Sequence, residues 1–398
     1  MKKSYQMFLT VFVLALTVMI GSATRSKAAV NMGLKQTDAG SSSVTLSWNA
    51  YLGGSGNVHY HVMFSNDGAN WTDMGRSSTP SDYIYNLGEG ATYYAKIVVY
   101  GGYHSTSELA VNESESIQVC TSLPETKDLK QTSAAINSIS MSWAPVAGAE
   151  GYEVYAYMGG NWTKVATSNT TSATVNGIGA SNEFMYAVNA FRSVTGGVVY
   201  GRRSDSVRMK TIPAKVSYVS MTNYWQYLKS ASYGWNSVNN ADGYQFQLLN
   251  HKGKSLLTRE TSSSYISVDP FKAGIFTKAR VRAYIVVNNK KYYGAWSGYS
   301  YNAANKKITL KRSANRKKIT LKWKKISGCA GYTVYISTKS NSGFKKVKTL
   351  SSKKTSISIT KCGKKKLKKN KTYYIRVKYL TKVGKKKVAS NVMGTGSI

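Results

Sequence analysis

Asn305–Ile398, the last 94 residues of the chain, contain no aspartate and no glutamate, against 26 lysines and 3 arginines. Lacking carboxylate side chains, the segment cannot neutralise itself, and it holds +29 of the chain's formal net charge of +38. The imbalance grows along the chain. Ala29–Ser122 has 3 basic and 8 acidic residues, Leu123–Ile212 has 8 and 6, and Pro213–Ala304 has 11 and 3. Self-repulsion on this scale destabilises a folded unit, so a polyanionic partner or an anionic surface is the reading that accounts for it.

Cysteine is also scarce. Cys120, Cys329 and Cys362 are the only three. An odd count excludes a fully paired disulfide framework, and so low a density excludes the small disulfide-stapled class. A long apolar run is missing too: Met7–Ile20 is 14 residues, short of the roughly 20 that a membrane span needs. With Lys2 and Lys3 before it and small residues after it, the run reads as a signal peptide over residues 1–28, cleaved after Ala28 or Ala23. No cysteine flanks the run, and Gly394–Ile398 carries no sorting signal or hydrophobic tail. The mature chain is therefore expected to be exported, without a transmembrane segment and without a covalent anchor.

Catalytic patterns are absent as well. No Gly-x-Ser-x-Gly with a plausible histidine, no phosphate-cradling glycine loop before a helix and no His-Glu-x-x-His occurs. Asp67, Asp73, Asp82 and Glu89 are the nearest approach to paired carboxylates. A small sandwich offers no cleft in which two of them could flank a glycosidic bond. The chain reads as non-enzymatic, with no cofactor.

What is present is a repeat. An alternating strand ends in Trp48, Trp143, Trp235 and Trp323, at intervals of 95, 92 and 88 residues. A second strand then opens on Tyr60, Tyr152, Tyr244 and Tyr332, the last three preceded by Gly151, Gly243 and Gly331. A glycine- and asparagine-rich turn leads to Trp71, Trp162 or Phe344, and a long strand closes each unit (93–100, 184–191, 277–284, 373–379). Short period-2 strands with no helical periodicity after residue 28 predict an all-β chain of sandwiches. In the last unit Ile319, Leu321, Trp323, Tyr332, Val334 and Ile336 should point inward. Lys318, Lys322, Lys324, Thr333, Tyr335 and Ser337 should point outward.

These residues resemble the fibronectin type III family: the strand-ending Trp, the Gly-Tyr opening the next strand, and a Leu six residues before a Tyr at Leu87–Tyr93 and Leu367–Tyr373. That spacing resembles the tyrosine corner. Ile178–Phe184 and Phe271–Thr277 keep the spacing but lack the ring hydroxyl. The resemblance implies four tandem immunoglobulin-like sandwiches over residues 29–122, 123–212, 213–304 and 305–398, in the style of secreted Gram-positive surface proteins. Such a fold is a scaffold and does not specify a ligand.

Within that frame the basic residues gather. Lys364, Lys365, Lys366, Lys368, Lys369 and Lys371 fall in the loop between the fifth and sixth strands of the fourth unit, beside the first hairpin turn with Arg312, Arg316 and Lys317. This cluster is the candidate polyanion site. The preponderance of lysine over arginine disfavours bidentate readout of bases and suits salt-sensitive attraction to an anionic cell-wall polymer or acidic glycan. Nucleic acid is a less favoured partner of the same salt sensitivity.

Trp225, with Tyr224 and Tyr227, is the candidate aromatic contact for a carbohydrate or protein ligand of the first three units. Trp296-Ser-Gly-Tyr-Ser300 resembles the WSxWS motif, with Lys278, Arg280 and Arg282 expected to stack on Trp296 in a structural ladder. His59 and His61 share a strand face, but no third ligand beyond the neighbouring His104 is identifiable, so no metal is assigned. Cys329 and Cys362 are expected at opposite ends of one sandwich, too far apart to bridge. Cys120 is placed in a linker, open to an intermolecular bond. Together these features describe an exported binding or adhesion protein, associated non-covalently with the cell wall. A carbohydrate-binding array and an extracellular nucleic-acid binder are the alternatives.

Overall fold

The structure, a computed structural model, describes residues 28–53, 58–101, 109–225, 227–304, 308–390 and 394–398. Residues 1–27 of the expected signal peptide, and His104, lie outside the described residues. Every regular element among them is a β-strand. No helix among them is long and apolar enough to cross a membrane.

One arrangement of sheets occurs four times: a three-stranded sheet facing a five-stranded one. In the fourth pair, Ile319–Trp323 lies between Ile308–Arg312 and Ser356–Ile359. In the other sheet, Lys345–Ser351, Gly331–Ser337 and Tyr374–Val383 lie side by side, all antiparallel. The far edge of Tyr374–Val383 carries two short strands in succession, Lys386–Ala389 and Gly394–Ser397. This is an immunoglobulin-like sandwich whose last strand is broken in two. The chain falls into two compact units, Met1–Ser122 with Ser193–Val199, and Leu123–Arg192 with Tyr200–Ile398.

Alternation builds the cores. Ile319, Leu321 and Trp323 are buried against Tyr332, Val334, Ile336, Ile375, Val377 and Tyr379 from the facing sheet. Each large side chain so buried contributes about 1.5–3 kcal/mol. Lys318, Lys322 and Lys324 are exposed as expected. Thr333 and Ser337 differ from expectation: both sit on the outer face yet are buried. Thr333 lies between Thr349 and Lys378 on its two neighbours, and Ser337 Oγ donates to Ser342 O at 2.6 Å to hold the following turn. A central strand is screened by long neighbours even on its solvent side.

The Trp–Tyr signature is one contact made four times. Ring centroids are 5.4, 5.4, 5.6 and 5.1 Å apart for Trp48–Tyr60, Trp143–Tyr152, Trp235–Tyr244 and Trp323–Tyr332. Each tyrosine hydroxyl also accepts a loop N–H, from Tyr51, Val146, Val238 and Ile326. This ties the loop after the tryptophan to the core and satisfies a buried hydroxyl.

A second fourfold feature escaped the sequence reading. At the break in each last strand, Ser114, Ser204, Ser297 or Ser390 accepts through Oγ the N–H of Ile97, Val188, Val281 or Tyr379. The serine N–H donates back to the carbonyl of the same residue. The ladder is thus carried across the interruption by a reciprocal pair of hydrogen bonds.

The glycine of the Gly-Tyr signature has a steric cause. A Cβ on Gly331 would stand 2.6 Å from Leu350 O, a main-chain atom that cannot yield. Gly331→Ala is expected to lower stability by about 1–3 kcal/mol in chemical denaturation. Gly298→Ala, where a Cβ meets nothing within 4 Å, is expected to stay within about 0.5 kcal/mol of the parent.

Candidate polyanion-binding site

Between Ser356–Ile359 and Tyr374–Val383 the chain forms a small hairpin, with Lys361–Cys362 paired to Lys365–Lys366. Gly363 turns it with φ +64, and a Cβ there would lie 2.5 Å from Lys345 Cδ. Leu367 and Tyr373 insert into the core on either side of the remaining loop. Tyr373 Oη accepts the Lys368 N–H at 2.9 Å, and Tyr93 does the same for Gly88 N–H at 3.0 Å. These are the tyrosine corners anticipated from the Leu–Tyr spacing. With its two apolar ends anchored, the loop projects Lys364, Lys365, Lys366, Lys368, Lys369 and Lys371 into solvent.

Arg312 joins this loop to the first hairpin turn. Its Nε donates to Arg316 O at 3.3 Å, Nη1 to Lys371 O at 3.2 Å and Nη2 to Lys368 O at 2.6 Å. Its guanidinium lies 5.5 Å from the Tyr373 ring centroid. A planar five-donor fork can serve three carbonyls at once, which a lysine ammonium on a flexible stem cannot do in the same geometry. Arg312, expected to contact the anion, therefore holds the site together, while Arg316 and Lys317 stay exposed.

The opposite end of the sandwich is occupied by the third repeat. Ser327 N–H donates to Gly274 O at 2.9 Å, and Phe276 N–H donates to Ser327 O at 2.8 Å. The strand Ile319–Trp323 runs from the Arg312–Lys317 turn toward this junction, separating the two by about 15 Å at ~3.3 Å per residue. The cationic end is thus the one left uncovered by the third repeat.

The aromatic candidates divide. Trp225 is 43 % exposed and Tyr227 96 %. Tyr224 is turned inward, its ring 5.7 Å from Phe271, and so leaves the proposed contact set. A bulge between Met221 and Asn223 shifts the alternation by one residue and reverses its direction. The ladder near Trp296 is present: Arg280 and Arg282 stand 4.2 and 4.5 Å from its centroid, Arg282 3.9 Å from Tyr293, and Lys278 4.7 Å from Tyr299. In the second repeat Arg203 covers Tyr155 and Trp162 at 4.7 and 5.1 Å. On these outer faces Trp296, Tyr293, Tyr155 and Trp162 are each covered by a guanidinium, while Tyr157, Tyr200 and Tyr299 stay exposed.

The first unit's titratable groups have structural uses. Asp67 accepts from Ala69 N–H and Asn70 N–H, each at 2.8 Å, and from Ser65 and Asn70 side chains. Those bonds, the backbone ones foremost, hold its carboxyl well below the usual range. His61 Nδ1 lies 2.7 Å from Asp73 Oδ2, and His59 stacks on Tyr100 at 5.7 Å. Among the described residues no group of three His, Cys, Asp or Glu is arranged to hold a metal. Cys120 corrects another expectation. It ends the strand Ile117–Cys120, fully buried rather than in an open linker. The Gln36 amide clasps it, accepting its N–H at 2.9 Å and donating to its carbonyl at 2.7 Å. Cys329 and Cys362 are unbridged.

Arg312→Lys keeps the net charge but cannot serve three carbonyls. It is expected to cost about 1–2 kcal/mol, and to speed tryptic cleavage between residues 364 and 371 several-fold. On the second repeat, burial raises the Glu153 carboxyl, but Lys164 and the Tyr155 hydroxyl outweigh it and the group ends below its ordinary value of 4.5. A depressed carboxylate stabilises the fold above the ordinary value, and this is lost as pH falls through the folded one. The stability gap between the parent and Glu153→Gln should therefore close on acidification below 4.5.

No family model matches the chain. A Kelch domain-containing protein of Saccharolobus solfataricus is 28 % identical over 167 residues, 38 % of this chain and 21 % of that protein. The chain thus spans about a fifth of this relative's length. Among solved structures, the FN1–FN3 domains of chicken CNTN1 align at 16 % identity and TM-score 0.26, covering 69 % of this chain and 98 % of that one. A two-domain fibronectin type III segment of chicken tenascin aligns at 18 % identity and TM-score 0.24, covering 45 % and 97 %. The structural neighbours are tandem fibronectin type III domains, and this chain is similarly all-β.

Proposed function

We propose that the chain is a non-enzymatic extracellular binding protein, retained on an anionic cell-wall polymer or acidic glycan through the basic end of its fourth repeat. The supporting observation is the junction made by Arg312. It brings two lysine- and arginine-bearing loops together in a repeat that has no carboxylate side chain to neutralise them. Lysine ammonium groups on an exposed loop give diffuse attraction, strong at low ionic strength and confined to ~8 Å at physiological salt. The more acidic first repeat and the exposed Trp225 and Tyr227 would then be available to a protein or carbohydrate partner.

The test replaces Lys364, Lys365, Lys366, Lys368, Lys369 and Lys371 with Gln in the full chain, leaving Arg312 and the core intact. Co-sedimentation with purified Gram-positive walls is followed from about 50 to 500 mM NaCl, over which the Debye length falls from ~14 to ~4 Å. The parent is expected to pellet at low salt and release at high salt, and the variant to remain largely in solution throughout. Equal pelleting of both, indifferent to salt, would assign recognition to the first three repeats. Competition by teichoic acid but not by DNA distinguishes wall retention from nucleic-acid binding.

A further inference from the structure

Only 3 of the 29 cations in Asn305–Ile398 are arginine. Arg312 is committed to main-chain carbonyls, and Arg316 lies in a left-handed turn at φ 57. Arg376 belongs to neither loop. It sits near the start of Tyr374–Val383, with its guanidinium carbon 3.8 Å from the Phe344 ring centroid. Nη2 donates to Ser340 O at 3.2 Å. A recess of about 260 Å³ opens beside it, lined by Ser340, Asn341, Phe344, Tyr374, Thr395 and Ser397 along with Arg376 itself.

The chemistry of this lining differs from that of the lysine loop. A guanidinium held over a phenyl ring and pinned at one nitrogen is oriented in advance, so a further N–H edge can meet a two-oxygen acid in parallel. Tyr374 and Phe344 contribute aromatic surface on which an apolar ring face can rest. The Ser340, Thr395 and Ser397 hydroxyls and the Asn341 amide of the lining supply donors and acceptors for ligand hydroxyl groups. Diffuse attraction to phosphates calls for none of these. A ring bearing several hydroxyls and one carboxylate uses all of them.

We propose that this recess binds one uronate-type sugar unit, a pyranose carrying a carboxylate, within an anionic polysaccharide. The carboxylate would accept from Arg376, and the sugar ring would lie against Tyr374. The inference rests on the retention reading above and deepens it. Phe344 is followed by Lys345, whose stem lies against Gly363 of the lysine hairpin. A polymer leaving the recess on that side meets the cations of the loop at once.

The experiment is calorimetric titration of the full chain with trigalacturonate at about 150 and 500 mM NaCl, since the higher salt screens all but close contacts. An equally charged glycerol-phosphate oligomer and neutral maltotriose are run beside it. Trigalacturonate affinity is expected to persist at high salt and to fall about tenfold in Arg376→Lys, which keeps the charge but loses the fork. Phe344→Ala should lose a similar factor at an unchanged net charge. The six-lysine Gln variant should lose the low-salt gain but keep the affinity that depends on Arg376. Binding by Arg376→Lys within about twofold of the parent overturns the proposal, as does equal Arg376-dependent binding of the glycerol-phosphate oligomer or of maltotriose. Failure here leaves salt-sensitive wall retention standing, whereas failure of retention appears as indifference to the lysine substitutions.

Discussion

Successive side chains along a strand point to opposite faces, and the fourth repeat depends on that separation. Its core is conventional, with Trp323 against Tyr332 and Val334 and Ile336 fully buried. Lysine fills many of the positions that alternation sends outward, among them Lys311, Lys322 and Lys348. Apolar burial acts on one face of each sheet while repulsion acts on the other, where water and salt weaken it. A helix would spread the same cations around a cylinder and leave a narrower apolar stripe. The sandwich can therefore hold a field of one sign without placing a charge in its interior.

Loops made of lysine need other means of order, because ammonium groups that repel one another do not define a conformation. The loop over residues 364–371 obtains its shape from buried Leu367 and Tyr373, the corner bond to Lys368, and the three carbonyl contacts of Arg312. The pattern of the few arginines is informative for this reason. Arg312 uses its planar fork on the protein, and Arg376 lies pinned between Phe344 and Ser340 at the edge of a recess. The same division recurs in the third repeat, where Arg280 and Arg282 are spent on Trp296, Tyr293 and two glutamines. There the cations brace a sheet face and add about 0.5–2 kcal/mol per contact.

Much of the fold was legible. Strand alternation, the recurring Trp and Gly-Tyr, and the Leu–Tyr spacing are local consequences of burial in a two-sheet core, so they leave a periodic trace. The serines at the broken last strands were missed, although Ser114, Ser204, Ser297 and Ser390 recur at similar intervals. Each acts through a bond to a strand that lies earlier in the chain. Tyr224 turns inward because a single bulge reverses which face a residue takes, and no residue type in that segment announces it. Cys120 looked like linker because the strand it ends is held by the amide of Gln36, 84 positions away.

For the candidate site, the sequence alone determined the sign and density of charge, the absence of internal carboxylate partners, and the loop on which the densest lysine cluster falls. Those are properties of residues counted along the chain. Only the tertiary structure decided which cations are outward and which are engaged, that Arg312 donates to three main-chain carbonyls, and that Arg376, Phe344 and Tyr374 meet the closing strand in one recess. The reason is the reach of each interaction. Charge and alternation act over a few residues or over a whole surface, whereas a guanidinium's partners sit within hydrogen-bonding distance in space while lying 56 and 59 residues away in sequence.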